Sequence, residues 1–162
     1  MGEDTHRLVP NRKLILGGVE IPYRMGLLGH SDADALVHAV IDALLGACAM
    51  GDIGTLFPDS DMQYKGISSL TLLYRVAKKL YNAGNSIVNI DSVITAQEPR
   101  LSGYIDSMRN NIANTLNRVD KRITVGSVSV KATTPEHTGA EGQLLCITCR
   151  AVAMCISSAV IK

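Results

Sequence analysis

The feature that most constrains the fold is a long amphipathic pattern in the first third of the chain. Apolar side chains recur at three- and four-residue spacing from Leu36 to Cys48, which is the period of an α-helix with one buried face. Ser31 or Asp32 precedes this pattern and can cap the helix, and Gly51 follows it. The sequence therefore predicts a helix that needs a second layer of structure to cover its apolar stripe.

The rest of the chain predicts a β-sheet as that second layer. Two short apolar runs flank Gly17 and Gly18 within residues 13–23, which is typical of a hairpin. Further helices are predicted over residues 68–82 and 102–117, strands over 86–96, 123–131 and 144–157, and a polar loop over 51–66. This order predicts an α+β fold, a two-layer sandwich in which helices cover one face of a mixed β-sheet, within a single domain spanning residues 1–162.

The charge balance argues against a nucleic-acid partner. The 162 residues include 16 Lys and Arg against 15 Asp and Glu, a net charge of +1, whereas binding to a phosphate backbone needs clustered cations. Aromatic residues make up only 4% of the chain, too few for platforms that stack bases. Apolar residues reach 46%, an excess that favours an oligomer whose interfaces resemble a core.

No segment predicts a membrane protein or a secreted protein. The longest apolar run, residues 144–161, contains Arg150 and suits a buried strand better than a membrane span. The first six residues are acidic and lack the apolar stretch of a signal peptide, so we expect a cytoplasmic protein. The four cysteines are then expected to be free thiols, since the Cys146 and Cys149 pair lacks the second pair that a structural zinc site needs.

Asp4, His6 and His38 are the candidate metal ligands. Asp4 and His6 are two residues apart, so in an extended chain their side chains share one face. With His38 they would give the three nitrogen and oxygen ligands of a catalytic zinc site that keeps its fourth position open. The alternative is that each is an ordinary solvated side chain. Asp42, four residues after His38, is either a hydrogen-bond partner that orients a metal ligand or a residue of the helix surface.

Two polar loops also carry candidate chemistry. Residues 52–61 place three carboxylates around Phe57. These carboxylates could accept hydrogen bonds from sugar hydroxyls, or the segment could be an ordinary solvated turn. The segment Lys131-Ala-Thr-Thr-Pro-Glu136 leaves a predicted strand with a cation, two hydroxyls and a carboxylate. That set suits phosphate oxygens and a hard cation such as Mg²⁺, although a polar strand end would have the same composition.

Six segments together resemble a known family. They are GEDTHRL at 2–8, LILGGVEIPY at 14–23, GLLGHSDADALVHAVIDALLGA at 26–47, GDIGTLFPDSD at 51–61, NIDSVITAQEPRL at 89–101 and VKATTPE at 130–136. Each is weak alone, but their combination and order are similar to the 2-C-methyl-D-erythritol 2,4-cyclodiphosphate synthases of the non-mevalonate isoprenoid pathway.

The resemblance implies an assembly and a set of metals. Members of this family are homotrimers with their sheets around a central axis and their active sites between adjacent subunits. The implied ligands of one zinc ion per subunit are Asp4, His6 and His38. Glu136 matches the ligand of a magnesium or manganese ion that bridges the diphosphate of the substrate.

The resemblance also implies which residues contact the substrate, a cytidine diphosphate derivative. His30 and Thr134 match the positions that contact the transition state and are the implied catalytic residues. The implied substrate-binding residues near the metal and the methylerythritol are Asp4, His6, His30, Ser31, Asp52, Gly54, Phe57, Pro58, Asp59, Ser60 and Asp61. Those near the cytidine and the diphosphate are Ala96, Gln97, Glu98, Pro99, Arg100, Leu101, Ser102, Ala132, Thr133, Thr134 and Glu136.

The implied reaction converts 4-diphosphocytidyl-2-C-methyl-D-erythritol 2-phosphate to the 2,4-cyclodiphosphate with release of CMP. The substrate's own 2-phosphate attacks the β-phosphate, so the enzyme needs no nucleophile of its own. A zinc-dependent phosphohydrolase and an inactive metal-binding trimer are the alternatives. The sequence departs from the family at Met1-Gly2-Glu3, where a longer strand usually precedes the D-x-H pair, so we expect Asp4 and His6 to lie on a nearly free terminus.

Overall fold

A computed structural model of the chain describes residues 1–58 and 60–157. The strands are β1 (Gly2–Pro10), β2 (Leu14–Leu16), β3 (Val19–Ile21), β4 (Met25–Leu27), β5 (Asn85–Thr95), β6 (Val128–Thr133) and β7 (Cys146–Ser157). The helices are α1 (Ala35–Ala47), α2 (Ile53–Leu56), α3 (Ser69–Asn82), α4 (Ile105–Asn117) and α5 (Gly139–Gly142), with 3₁₀ turns at Met62–Tyr64 and Val125–Ser127.

Five strands form one mixed sheet in the order β4-β1-β7-β5-β6. The β5 and β6 strands are parallel, whereas the other neighbours are antiparallel. The β2 and β3 strands form the predicted hairpin as a separate two-stranded sheet. The predicted α+β fold with a mixed sheet is therefore confirmed.

The helices cover one face of the five-stranded sheet. The α1 helix packs against β1 and β7, and the β7 residues on that side, Ile147, Cys149 and Ala151, are buried. On the opposite side of β7, Val152 and Met154 are 49% and 56% exposed. Alternate residues of a strand point to opposite faces, so β7 separates the core from an uncovered apolar surface.

The expectation that Asp4 and His6 lie on a nearly free terminus is wrong. They belong to β1, which pairs with β7 along one edge and with β4 along the other. Its first residue, Gly2, lies so close to α1 that an added Cβ would be 2.2 Å from the Ala39 carbonyl oxygen. Backbone hydrogen bonds and this close approach hold the strand in place.

Some element boundaries differ from the sequence-based prediction. Asp34, rather than Ser31 or Asp32, caps α1 by accepting the Val37 N–H at 3.1 Å. The predicted loop over residues 51–66 contains α2 and a 3₁₀ turn, and the predicted strand over 123–131 starts only at Val128. The four cysteines are free thiols, as predicted. In the described part of the chain, no helix is long and apolar enough to cross a membrane.

Candidate metal centre and active site

Asp4, His6 and His38 converge in the structure as the sequence predicts. Asp4 and His6 project from the helix-facing side of β1, and His38 projects from α1. Asp4 Oδ2 lies 2.9 Å from His6 Nε2 and 3.0 Å from His38 Nδ1, and the two nitrogens are 3.4 Å apart. One carboxylate oxygen and two imidazole nitrogens thus face a common point. This donor set fits a divalent metal ion with an open position.

The surroundings of the three side chains prepare them as ligands. His6 Nδ1 lies 2.7 Å from the Leu28 carbonyl oxygen, so it donates a proton there and leaves Nε2 facing Asp4. Burial alone would raise the pKa of Asp4, but its hydrogen bonds with His38 and His6 hold that pKa well below its ordinary value. Asp4 is therefore an anion at neutral pH, as a metal ligand must be.

A cavity of about 380 Å³ opens next to the three ligands. Its lining includes the predicted His30, Ser31, Gly54, Phe57 and Pro58 together with Gly29, Ile53, Tyr64 and Leu72, which sequence analysis missed. The His30 Nε2 atom is buried and has no hydrogen-bond partner among the described residues. A buried polar atom without a partner is costly, and here it belongs to a ring that lines a cavity large enough for a small ligand.

The loop that carries His30 is held by Arg12, a residue that sequence analysis missed. The Arg12 guanidinium donates to the carbonyl oxygens of Leu27 at 3.1 Å, Gly29 at 3.3 Å and Ser31 at 3.4 Å. The backbone N–H of Gly66 donates to the His30 carbonyl oxygen at 3.0 Å. These bonds satisfy the last carbonyl group of β4 and the carbonyl groups of Gly29, His30 and Ser31, which lie outside the helices and strands. No sequence pattern distinguishes this arginine from a surface cation.

The predicted loop after α1 only partly reaches the cavity. Asp52 is exposed and caps α2 by accepting the Thr55 N–H at 2.7 Å, and this hydrogen bond lowers its pKa. Asp61 caps the following turn by accepting the Gln63 N–H at 3.0 Å. Neither these two carboxylates nor Ser60 line the cavity. Asp59 lies outside the described residues.

Asp42 connects this loop to α1. Its Oδ1 accepts the Ile53 N–H at 2.7 Å, so the carboxylate is not simply part of a solvated helix surface. Burial raises the pKa of Asp42, and the negative charges of Asp52 and Asp4 add to that effect. The bond fixes the position of α2 relative to the helix that carries His38.

A second cavity of about 410 Å³ lies where β5 and β6 end. The carboxyl ends of neighbouring parallel strands meet at the same edge of a sheet, which is why distant segments of the sequence come together here. The lining holds Ala96, Gln97, Pro99, Arg100, Leu101, Ser102, Ala132, Thr133 and Thr134, all predicted, and Ile105.

Two predicted residues near this second cavity do not line it. Glu98 instead accepts a hydrogen bond from the Tyr23 hydroxyl at 3.0 Å and lies 3.9 Å from Arg24. Glu136 is exposed and accepts a hydrogen bond from the Thr134 hydroxyl at 2.6 Å. The carboxylate of Glu136 is thus adjacent to Thr134 without being buried.

The single chain does not bring the two predicted catalytic residues into one cavity. His30 lines the first cavity, beside β1, and Thr134 lines the second, beyond β6. Three strand spacings separate β1 from β6 in the sheet, which corresponds to about 14 Å.

Comparison with known proteins gives a consistent set of similarities. The model of the YgbB family matches residues 1–156. A relative named 2-C-methyl-D-erythritol 2,4-cyclodiphosphate synthase, from Clostridium botulinum strain Alaska E43, is 56% identical over 152 residues, which are 94% of each chain.

Solved structures share the fold. The bifunctional IspDF from Campylobacter jejuni superposes with a TM-score of 0.89 at 38% identity, covering 96% of this chain and 41% of that one. This chain therefore corresponds to less than half of the bifunctional protein. The CDP complex of IspF from Plasmodium falciparum superposes with a TM-score of 0.82 at 33% identity, covering 96% of this chain and 93% of that one.

Proposed function

The chain belongs to the YgbB family, and from this membership we propose that it is a 2-C-methyl-D-erythritol 2,4-cyclodiphosphate synthase. It converts 4-diphosphocytidyl-2-C-methyl-D-erythritol 2-phosphate to the cyclic 2,4-diphosphate. An oxygen of the substrate's 2-phosphate forms a bond to the β-phosphorus, the bond from that phosphorus to the CMP oxygen breaks, and CMP leaves. The observation that carries the proposal is the convergence of Asp4, His6 and His38 beside a cavity lined by His30 and Phe57.

The protein's part in this reaction is to position two phosphates and to balance their charge. We assign the first cavity to the methylerythritol phosphate and the second to the cytidine. His30 lines the first cavity with an unpartnered Nε2 and is assigned to a phosphate oxygen. The Thr134 hydroxyl is assigned to the same transferring phosphate from the second cavity. Asp52 and Gly54 are assigned to the hydroxyl groups of the methylerythritol.

Two metal sites complete the proposal. Asp4, His6 and His38 hold zinc, and Glu136, exposed beside Thr134, holds magnesium or manganese on the diphosphate. When bound, these cations supply the positive charge that a protein of net charge +1 otherwise lacks for so anionic a substrate. Asp4 keeps the negative charge that a zinc ligand needs, because its hydrogen bonds lower its pKa.

We further propose that the active site forms between subunits of a homotrimer. The first cavity lies beside β1 and the second lies beyond β6. Each is lined by only part of the residues that are predicted to contact the substrate. The helix-free face of β7 exposes Val152, Met154 and Ile156, with exposed fractions of 49%, 56% and 44%. A row of exposed apolar side chains is typical of an interface, and we assign this face to the contact between subunits.

A turnover assay tests the function. The protein is supplied with the cytidine diphosphate substrate, Zn²⁺ and Mg²⁺, and the products are followed by ³¹P NMR. We expect CMP and a cyclic diphosphate in equal amounts. Release of inorganic phosphate would instead identify a zinc-dependent phosphohydrolase, and bound zinc without turnover would identify an inactive metal-binding protein. A His30→Ala variant is expected to keep its zinc and lose most of its turnover.

A further inference from the structure

A chain of hydrogen bonds runs from His38 away from the candidate metal centre. His38 Nε2, the ring nitrogen that does not face Asp4, lies 2.8 Å from Ser69 Oγ. The Ser69 hydroxyl donates in turn to Asp32 Oδ1. Ser69 is fully buried in the first turn of α3, and its backbone N–H donates to Asp32 Oδ2 at 2.9 Å. Two residues from two different segments, Ser69 and Asp32, thus lie in a line behind His38.

The donors and acceptors along this series of hydrogen bonds determine which ring nitrogen of His38 carries the proton. A carboxylate only accepts hydrogen bonds, and a serine hydroxyl has one hydrogen to give. Because Ser69 gives its hydrogen to Asp32, its oxygen can only accept from His38, so Nε2 carries the proton. When the ring is neutral, as a metal ligand must be, the Nδ1 atom is then left with a free lone pair. Nδ1 is the nitrogen that lies 3.0 Å from Asp4 Oδ2.

Ser31 is a weaker competitor for the same nitrogen. Its Oγ lies 3.3 Å from His38 Nε2, whereas Ser69 Oγ lies 2.8 Å from the same atom. The Ser31 hydroxyl oxygen also accepts the Ala33 N–H at 3.2 Å. Both hydroxyl oxygens can accept a hydrogen bond from the proton on Nε2, so Ser31 is compatible with the tautomer that Ser69 sets.

We propose that Ser69, backed by Asp32, is a positioning residue of the metal site. It holds the His38 ring in the tautomer and orientation that present Nδ1 to the metal beside Asp4 and His6. This role rests on the proposed zinc site. Partners of this kind behind a metal-bound histidine typically change metal affinity by about 10- to 100-fold when they are removed.

The same bonds also stabilise the start of α3, and the two roles can be separated. Ser68, the residue at the helix cap, makes no side-chain capping bond, so Asp32 supplies the missing acceptor through the Ser69 N–H. A Ser69→Ala substitution removes only the hydroxyl. The backbone N–H and its bond to Asp32 remain, so the helix start is kept while the link to His38 is lost.

Zinc affinity tests the proposal. Dissociation constants are measured by competition with a chromophoric chelator for the full-length wild type, Ser69→Ala and the neighbouring control Ser68→Ala, with circular dichroism as the check of folding. We expect Ser69→Ala to bind zinc at least about tenfold more weakly than the other two, with an unchanged spectrum. Equal affinities within twofold in all three proteins would overturn the role of Ser69.

A second measurement does not depend on the variant folding. In zinc-loaded wild type with ¹⁵N-labelled histidine, the His38 Nε2 proton should give an NMR signal protected from solvent exchange. Direct metal binding at Nε2, seen as a proton on Nδ1 instead, would overturn the proposal. A wild type that binds no zinc at all would overturn the metal site itself, and this outcome is distinguishable from equal affinities, which overturn only the role of Ser69.

Discussion

At the scale of single residues, Asp34 shows how a buried carboxylate can organise a site without touching it. Its two oxygens accept the N–H groups of Gly17 at 2.9 Å, Gly18 at 2.6 Å and Val37 at 3.1 Å. The side chain is fully buried, and burial raises its pKa to about 6. One residue thus joins the β2–β3 hairpin to the start of α1, the helix that carries His38.

Removal of this carboxylate should cost stability. An Asp34→Ala variant leaves three N–H groups without an acceptor, two of them in the hairpin turn and one at the helix start, and we expect the free energy of unfolding to fall by about 3 kcal/mol. Urea denaturation measures the loss. Asp34→Asn, which keeps one carbonyl oxygen as an acceptor, should lose about half as much. A loss below about 1 kcal/mol for Asp34→Ala would show that water satisfies these groups.

At the scale of secondary-structure elements, the helices and strands that could be predicted from the sequence are those with an apolar buried face. The α1 and α3 helices and the β5 and β7 strands follow the expected periods. The β1 strand escaped prediction because Asp4 and His6 occupy two of its helix-facing positions, so the apolar alternation typical of a strand is missing. The candidate ligands were predicted from residue type, but their support by Ser69 could not be, since it depends on how α3 packs against α1.

A hydrogen bond between α1 and the start of α2 sets the relative position of these two helices. Asp42 accepts the Ile53 N–H at 2.7 Å, so α2 and Gly54 keep a fixed distance from the candidate metal ligands. We expect Asp42→Ala to raise the KM for the cytidine diphosphate substrate several-fold while the zinc content stays unchanged. Steady-state kinetics and metal analysis measure the two effects. Asp42→Asn, whose carbonyl oxygen can still accept the bond, is the matched control and should keep a KM near that of the wild type.

At the scale of the whole molecule, charge is distributed differently on the two faces of the sheet. The candidate metal centre on the helix side contains one carboxylate and two histidines. The helix-free face holds paired charges, with Arg150 beside Glu3 and Lys131 beside Asp91, together with the exposed apolar residues of β7. Exposed apolar side chains on one face suit association with further copies of the chain, which is the assembly proposed above.

A charge introduced on the helix-free face of the sheet should prevent assembly without unfolding the single chain. Met154 is 56% exposed in the single chain, so Met154→Glu should leave the monomer folded while burying an unpaired charge in a trimer. We expect light scattering to report a monomer, circular dichroism to be unchanged, and turnover to be lost because each cavity then lacks its partner. Tyr81→Glu, at an exposed position on α3 with 51% of its surface accessible, is the control and should remain trimeric. A monomeric Met154→Glu protein with full turnover would place the complete active site within one chain.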